Sequence, residues 1–256
     1  YAVFVLDKEN IYTDRQTEEA DIYFSDNEVN LLHKFMNKYE EISPTIITGW
    51  NSNGFDVPYL YNRLRQVCGK AVANRISSIG KVKYSERLDR YKIAGVSSLD
   101  YLDLYKKFTY TEQPNYRLDT IGRLELGMGK VDYEGSLDDL FREDLETFIE
   151  YNLQDVRIIV ELDKKLDLIE LVRGICHMGH VPYEDYNMSS RFLEGTILTY
   201  LHRKGIVATN KPQDRDEMME EFKSGGKAKF SGAFVKAPIP GLYDWVYSLD
   251  LQSLYP

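Results

Sequence analysis

Short apolar or β-branched runs alternate along this chain with longer stretches whose apolar residues recur at helical spacing. That interleaving restricts the fold more than any bulk property, because strands separated by helices assemble as an α/β layered domain. Residues 2–6 read as a buried strand. Ser25-Asp26-Asn27-Glu28 has the S-x-x-E form of a capping box, and Val29, Leu32, Phe35, Met36 and Tyr39 follow on one helical face. The β-branched run 45–48, bounded by Pro44 and Gly49, predicts a short central strand leading into a loop over 50–56. Pro58 then suits the first turn of a helix carrying Tyr59, Leu60 and Leu64. Residues 81–84 and 91–96 predict the arms of a hairpin. A long amphipathic helix is expected over 143–172, with Leu145, Phe148, Ile149, Val156, Ile159, Val160 and Leu166 on one face and an acidic first turn. A further helix over 191–204 is expected to close at Gly205.

A length of 256 residues allows one large domain or two ordinary ones. No apolar run approaches the ~18 residues of a membrane span, so no membrane association is expected. Cys68 and Cys176 are too few for a disulfide scaffold, which points to a reducing, intracellular setting. The net charge of -9 argues at first against nucleic acid. Its distribution argues otherwise. Residues 60–95 hold nine Lys and Arg against Glu86 and Asp89, whereas 132–170 hold thirteen acids against four bases. A basic strip on an acidic body suits a polyanion, although on charge alone it reads equally as a solvated surface. The chain begins on Tyr1 and closes on Pro256 directly after an apolar run, which gives both ends the look of cuts.

Three constellations carry chemistry. In Thr48-Gly49-Trp50-Asn51-Ser52-Asn53-Gly54-Phe55-Asp56 a strand end delivers an aspartate next to an aromatic, where α/β sheets commonly bind ligands; Asp56 reads equally as the N-cap of the next helix. Tyr151 and Asp155 are four apart on the long helix, so phenol and carboxylate share one face, a pattern that by itself is usually solvent-facing. Asp250-Leu251-Gln252-Ser253-Leu254-Tyr255-Pro256 again sets an aspartate at the end of a strand-like run, 245–249.

Taken in this order, these residues resemble family B DNA polymerases of the T-even-like bacteriophage type. N-x-x-x-F-D falls at Asn51 to Asp56, Y-x-x-x-D at Tyr151 to Asp155 and D-x-x-S-L-Y-P at Asp250 to Pro256. Between them lie Ser98-Leu99-Asp100-Tyr101-Leu102-Asp103-Leu104-Tyr105-Lys106-Lys107-Phe108 and Gly232-Ala233-Phe234-Val235-Lys236. The resemblance implies a ribonuclease-H-like 3′→5′ exonuclease domain over 1–167, linking helices over 168–210 and the start of a polymerase palm, with its first strand, over 211–256. It also implies a catalytic set of Asp56, Asp155, Tyr151 and Asp250, with Asp56, Asp155 and Asp250 as ligands of Mg²⁺ or Mn²⁺. Carboxylate oxygen is the donor such hard cations take. Asn51, Phe55 and Lys130 would meet DNA at the editing site, and Lys81, Lys83, Arg87, Arg90 and Lys92 would do so on a strand-parting hairpin. Phe230 and Gly232 would touch template, while Asp250, Leu251, Ser253, Leu254 and Tyr255 would bind the incoming nucleotide. Implied partners are primer-template and single-stranded DNA, deoxynucleoside triphosphates, a sliding clamp and replisome proteins, in the cytoplasm of a phage-infected cell.

Departures from the family pattern are as informative. Its first exonuclease motif, Asp-x-Glu on a central strand, is absent from 1–14, and Asp26-Asn27-Glu28 lies in a helix-capping context. The fold is therefore expected to lack its first strand here, and the chain to trim DNA slowly or not at all. Phe230 replaces a family tyrosine, which removes a hydroxyl contact and leaves stacking. Two other functions remain open: a catalytically silent module holding single strands or primer ends, and a stand-alone ribonuclease-H-like exonuclease. Cys176, His177 and His180 lack a fourth ligand for zinc. Asp100 and Asp103 read as caps or braces of the following helix, or as supports of the metal ligands.

Overall fold

A computed structural model of the chain describes residues 1–86, 88–133, 135–209 and 236–249. The first strand, β1 (Ala2–Leu6), is followed by the two-residue β2 (Arg15–Gln16) and by β3 (Asp21–Ser25). β1 and β3 pair in parallel, from Ala2 opposite Asp21 to Leu6 opposite Ser25, and β2 lies antiparallel on the other edge of β3. Helix α1 (Glu28–Ile42) leads to β4 (Ile46–Gly49), α2 (Asp56–Val67) and the single turn α3 (Lys70–Ala73). A hairpin follows, β5 (Val82–Ser85) with β6 (Arg90–Ile93), and then β7 (Ser97–Asp100), which pairs in parallel with β4. The remaining helices are α4 (Tyr101–Phe108), α5 (Leu118–Leu126), α6 (Leu137–Glu143), α7 (Leu145–Leu166), α8 (Leu168–Gly179) and α9 (Ser189–Arg203). The α/β class read from the sequence is what forms.

Three apolar clusters hold these elements. One joins β7, α4, α5, α7 and α8 through Leu99, Leu104, Ile121, Ile158 and Val172. Another joins α1, α2 and the hairpin through Met36, Tyr61, Leu64 and Ile93, and the third packs Val5, Ile22 and Phe24 against Ile149 and Leu153. Helix α7 belongs to two of the clusters. Its position is thus over-determined, and so is that of any side chain on its remaining face.

Several expectations need correction. The cap of α1 is Asn27, whose side chain accepts the Asn30 N–H at 2.8 Å, because Ser25 is taken up as the last residue of β3. A reciprocal capping box does occur, between Ser136 and Asp139 at the start of α6. The long helix expected over 143–172 is two helices, broken at Asp167, which adopts φ 53° and ψ 37°. Aspartate tolerates that left-handed geometry, and Asp163 secures the break by accepting the Asp167 N–H on its carbonyl and the Ile169 N–H on its carboxylate. The buried stripe of α7 is Ile149, Leu153, Ile158 and Leu162, which leaves Val156 exposed.

Contact grouping divides the chain into a unit Tyr1–Val207 and a unit Ala208–Pro256. In the second, residues 236–249 form neither strand nor helix, so the strand expected over 245–249 is not formed there. Trp245, Val246, Tyr247 and Leu249 are exposed, and a strand exists only with a hydrogen-bonded neighbour. Among the described residues no helix is long and apolar enough to cross a membrane.

Candidate active site

Parallel pairing of β4 with β7 sets Gly49 beside Asp100, and this register organises the loop that follows β4. Asp100 is buried and caps α4 by accepting the Leu102 N–H on Oδ1 at 3.1 Å. The same carboxylate accepts the Asn51 N–H on Oδ1 and the Asn53 N–H on Oδ2, both at 2.9 Å. Burial pushes the Asp100 carboxyl above the usual range, against the backbone donors that pull it down. Asn51 takes a left-handed φ of 62°, and a side chain at Gly54 would bring a Cβ within 2.7 Å of Asn51 Oδ1. A larger residue at position 54 would thus have to displace the Asn51 side chain.

This braced loop presents two residues outward. Phe55 is 64% exposed and lies nearly parallel to Tyr59, also exposed, with ring centroids 6.1 Å apart. Asp56 is the first residue of α2. It does not cap that helix, since the cap position belongs to Phe55 and carries no side-chain bond. Although solvent reaches Asp56, surrounding protein desolvates its carboxyl enough to push it above the ordinary carboxylate range. Among the described residues it has no salt-bridge partner.

On α7, Tyr151 and Asp155 share a face as their spacing requires. Lys130 joins them: its ammonium donates to Asp155 Oδ2 at 2.6 Å and to the Tyr151 hydroxyl at 3.1 Å. Burial alone would lower the Lys130 amine, but these bonds outweigh it and hold it above the ordinary lysine range. Asp155 Oδ1 is buried without a hydrogen-bond partner. All three side chains line an open cleft of about 700 Å³, together with Trp50, Asn51, Arg117, Asp119, Arg123 and Tyr133.

The structure thus brings Asn51, Lys130, Tyr151 and Asp155 to one cleft, while Phe55 and Asp56 stand outside its lining. Arg117, Asp119, Arg123 and Trp50 are members that the sequence did not single out. A helix start flanked by Arg and Asp was the available signal, and nothing in it distinguished a site from a solvated surface. Trp50 supports the wall by donating from Nε1 to the Tyr116 carbonyl at 3.0 Å. Lys81, Lys83, Arg90 and Lys92 lie apart, on and beside the hairpin, where exposed Lys83 and Lys92 sit directly opposite each other. The basic strip is weaker than its count suggests, because Arg63 and Arg75 are paired with Glu28 and Glu40. Cys176 is buried in the core facing the Tyr183 carbonyl, and His177 meets the Tyr183 hydroxyl. Arg87, Phe230, Gly232, Asp250, Leu251, Ser253, Leu254 and Tyr255 fall outside the described residues.

Two hard donors stand at separate places: the buried Asp155 oxygen in the cleft, partnerless among the described residues, and the desolvated Asp56 carboxylate outside the cleft lining. These fit part of a magnesium or manganese site. Among the described residues no group of three or more His, Cys, Asp or Glu is arranged to hold a metal ion.

The fold is thus an α/β domain with a cleft that mixes arginines and a lysine with aromatics and aspartates. Residues 3–121 match the family described as DNA polymerase family B, exonuclease domain. The match includes Asn51, Phe55 and Asp56 and ends before Lys130, Tyr151 and Asp155. Over 90% of its length the chain is 36% identical to the DNA-directed DNA polymerase of Escherichia phage RB69 and 34% identical to that of Enterobacteria phage T4. A DNA polymerase of Pyrococcus glycovorans is 25% identical, again over 90% of the chain. The chain is thus similar to these polymerases, and it spans about a quarter of the length of the phage relatives. The exonuclease-domain family that this segment matches implies dependence on a divalent metal.

Proposed function

We propose that this chain is the editing part of a replicative DNA polymerase, one that removes the 3′-terminal nucleotide of a single strand, together with the beginning of the copying part. In this reading 1–167 form the ribonuclease-H-like exonuclease domain, 168–210 the linking helices and 211–256 the entry to the palm. What supports the ribonuclease-H-like layout is the pair of parallel units, β1 with β3 and β4 with β7, each with a further edge unpaired among the described residues.

The observation that carries the functional reading is the Asp155 oxygen that lacks a partner beside Tyr151 and Lys130, in a cleft rimmed by Arg117 and Arg123. Asp56 and Asp155 would hold Mg²⁺ or Mn²⁺, which when bound neutralises phosphate charge and acidifies water. Tyr151 orients the attacking water through its hydroxyl. Lys130, Arg117 and Arg123 attract the phosphates, and Phe55 stacks on the terminal base. On the hairpin, two like charges face each other directly at Lys83 and Lys92, an arrangement that costs stability unless an anion lies across it. A DNA backbone is such an anion. Asp250, Leu251, Ser253, Leu254 and Tyr255 would serve the incoming nucleotide, with Phe230 and Gly232 on the template, and a clamp and other replication proteins would bind the whole polymerase.

A silent single-strand-binding module is the second reading, favoured by the lack of a three-ligand metal group among the described residues. Titration of the chain with a 5′-labelled single strand, with and without Mn²⁺, tests the proposal. Expected is Mn²⁺-strengthened binding that needs a free 3′ end and is lost in Asp155→Asn. Binding indifferent to Mn²⁺, to 3′ blocking and to that substitution would favour the silent module, whereas slow Asp155-dependent trimming would exclude it.

A further inference from the structure

Asp119 has no part in the function proposed above, yet three contacts converge on it. It lies in the first turn of α5, and its Oδ1 accepts the backbone N–H of Lys130 at 2.8 Å. Both its oxygens also face Nε of Arg123 at 3.1 Å. The segment it grips is pinned at two other points. Met128 N–H donates to the Gly122 carbonyl at 3.2 Å, and Gln154 on α7 donates from Nε2 to the Gly129 carbonyl at 3.0 Å. A Cβ at Gly122 would stand 2.6 Å from the Met128 carbonyl oxygen, so the turn that follows α5 can approach the helix only because that residue is glycine. Residues 127–130 are thereby held between α5 and α7. Their end, Lys130, extends its ammonium onto Asp155 and Tyr151.

We propose that Asp119 is a positioning residue which, by gripping the Lys130 backbone, keeps the Lys130 ammonium on Asp155 and Tyr151 as a built-in counter-cation that an incoming divalent ion must displace and an incoming phosphate draws away. This rests on the assignment of Asp155 as a cation ligand. The physical reason is competition. A carboxylate whose Oδ2 already contacts an ammonium at 2.6 Å attracts a second cation less strongly, while a phosphate entering the cleft gains the same ammonium as a donor. Loosening Lys130 therefore acts with opposite signs on two ligands: cations bind more tightly and oligonucleotide binds less tightly. General damage to the site would weaken both.

The test uses the full chain and the variants Asp119→Ala, Asp119→Asn, Arg123→Met and Lys130→Met. Without metal, the rate at which an amine-selective acylating reagent modifies Lys130 is followed by mass spectrometry at one pH. Asp119→Ala is expected to speed modification several-fold. Asp119→Asn retains an acceptor for the Lys130 N–H and should stay near the unsubstituted rate, as should Arg123→Met, which removes the ion pairs with Asp119 and Asp132 but leaves that acceptor in place. Free Mn²⁺, read by electron paramagnetic resonance, should then report several-fold tighter binding in Asp119→Ala and in Lys130→Met, with no further gain in the double variant. Weaker binding of a single-stranded oligonucleotide should accompany it. Unchanged Lys130 modification in a folded Asp119→Ala chain, or acceleration in Arg123→Met, overturns the inference. If Asp119→Ala does not fold by circular dichroism, Asp119→Leu, which fills the same space and also lacks the acceptor, takes its place under the same criterion. Mn²⁺ binding that ignores Asp155→Asn would instead overturn the assignment of Asp155, and the modification rates would still decide the role of Asp119.

Discussion

Asp56 opens a helix entered through a loop whose course is set by backbone bonds to Asp100, and its carboxylate has no cationic partner among the described residues, whereas Asp155 stands within a packed helix and is neutralised by Lys130. The two aspartates are thus made ready in different ways. For Asp56 the protein fixes the carrier and leaves the charge open. For Asp155 the carrier was fixed by core packing through Ile149, Leu153, Ile158 and Leu162, and the charge is compensated in place. Under the proposed function, the difference teaches that carboxylates serving one chemistry need not share an electrostatic state before the ligand arrives.

Removing the brace should produce the largest change. Asp100→Ala takes one buried acceptor from the N–H groups of Asn51, Asn53 and Leu102 together, and orphaned donors of this kind cost about 1–3 kcal/mol each before water relieves some of them. Urea unfolding should show a loss of about 2–4 kcal/mol. Asp100→Asn, which keeps one acceptor oxygen, should lose less. A change in Asp100→Ala no larger than that of a surface substitution would mean that Asp56 is not held by the backbone at all, and the contrast with Asp155 would collapse.

How much of this was legible in the sequence depends on the range of the cause. The alternation of strand and helix, the hairpin and the common face of Tyr151 and Asp155 are local consequences of spacing, and they were readable. The brace was partly readable: Asp100 stood out as a cap, but its bonds to Asn51 and Asn53 depend on the register of two strands nearly fifty residues apart in sequence. Arg117, Asp119 and Arg123 were not readable, because a charged first turn looks the same on a solvated helix as on the wall of a cleft. The break at Asp167 was hidden for another reason. Apolar periodicity runs through it without interruption, and only a left-handed residue, secured by Asp163, divides α7 from α8.

The charges themselves provide a smaller and more discriminating test. The Asp56 carboxyl is raised in the fold by desolvation, so the stabilising, protonated form is present below the ordinary carboxylate range and is lost as pH rises through the raised value. Asp56→Asn should therefore raise the melting temperature at neutral pH without metal and leave it unchanged at about pH 3. Asp155→Asn should do the reverse at neutral pH, because it strips Lys130 of its ion pair; with both side chains nearly a third exposed, the loss should be no more than about 1 kcal/mol. Differential scanning calorimetry at the two pH values measures both. The same sign for both variants would show that the two carboxylates are prepared alike.

Phe55→Ala should change stability least and so isolates what the braced loop is for. Its ring is 64% exposed and its one stacking neighbour, Tyr59, is exposed as well, so truncation removes little buried area and should stay within about 0.5 kcal/mol in urea unfolding. Fluorescence anisotropy with a labelled single strand should behave differently. Stacking on a terminal base contributes about 1 kcal/mol or more, so affinity should fall roughly fivefold. Phe55→Trp, which keeps a flat face, should restore it. If instead stability falls and affinity does not, the Phe55–Tyr59 pair is part of the packing, and the loop that Asp100 organises presents Asp56 alone.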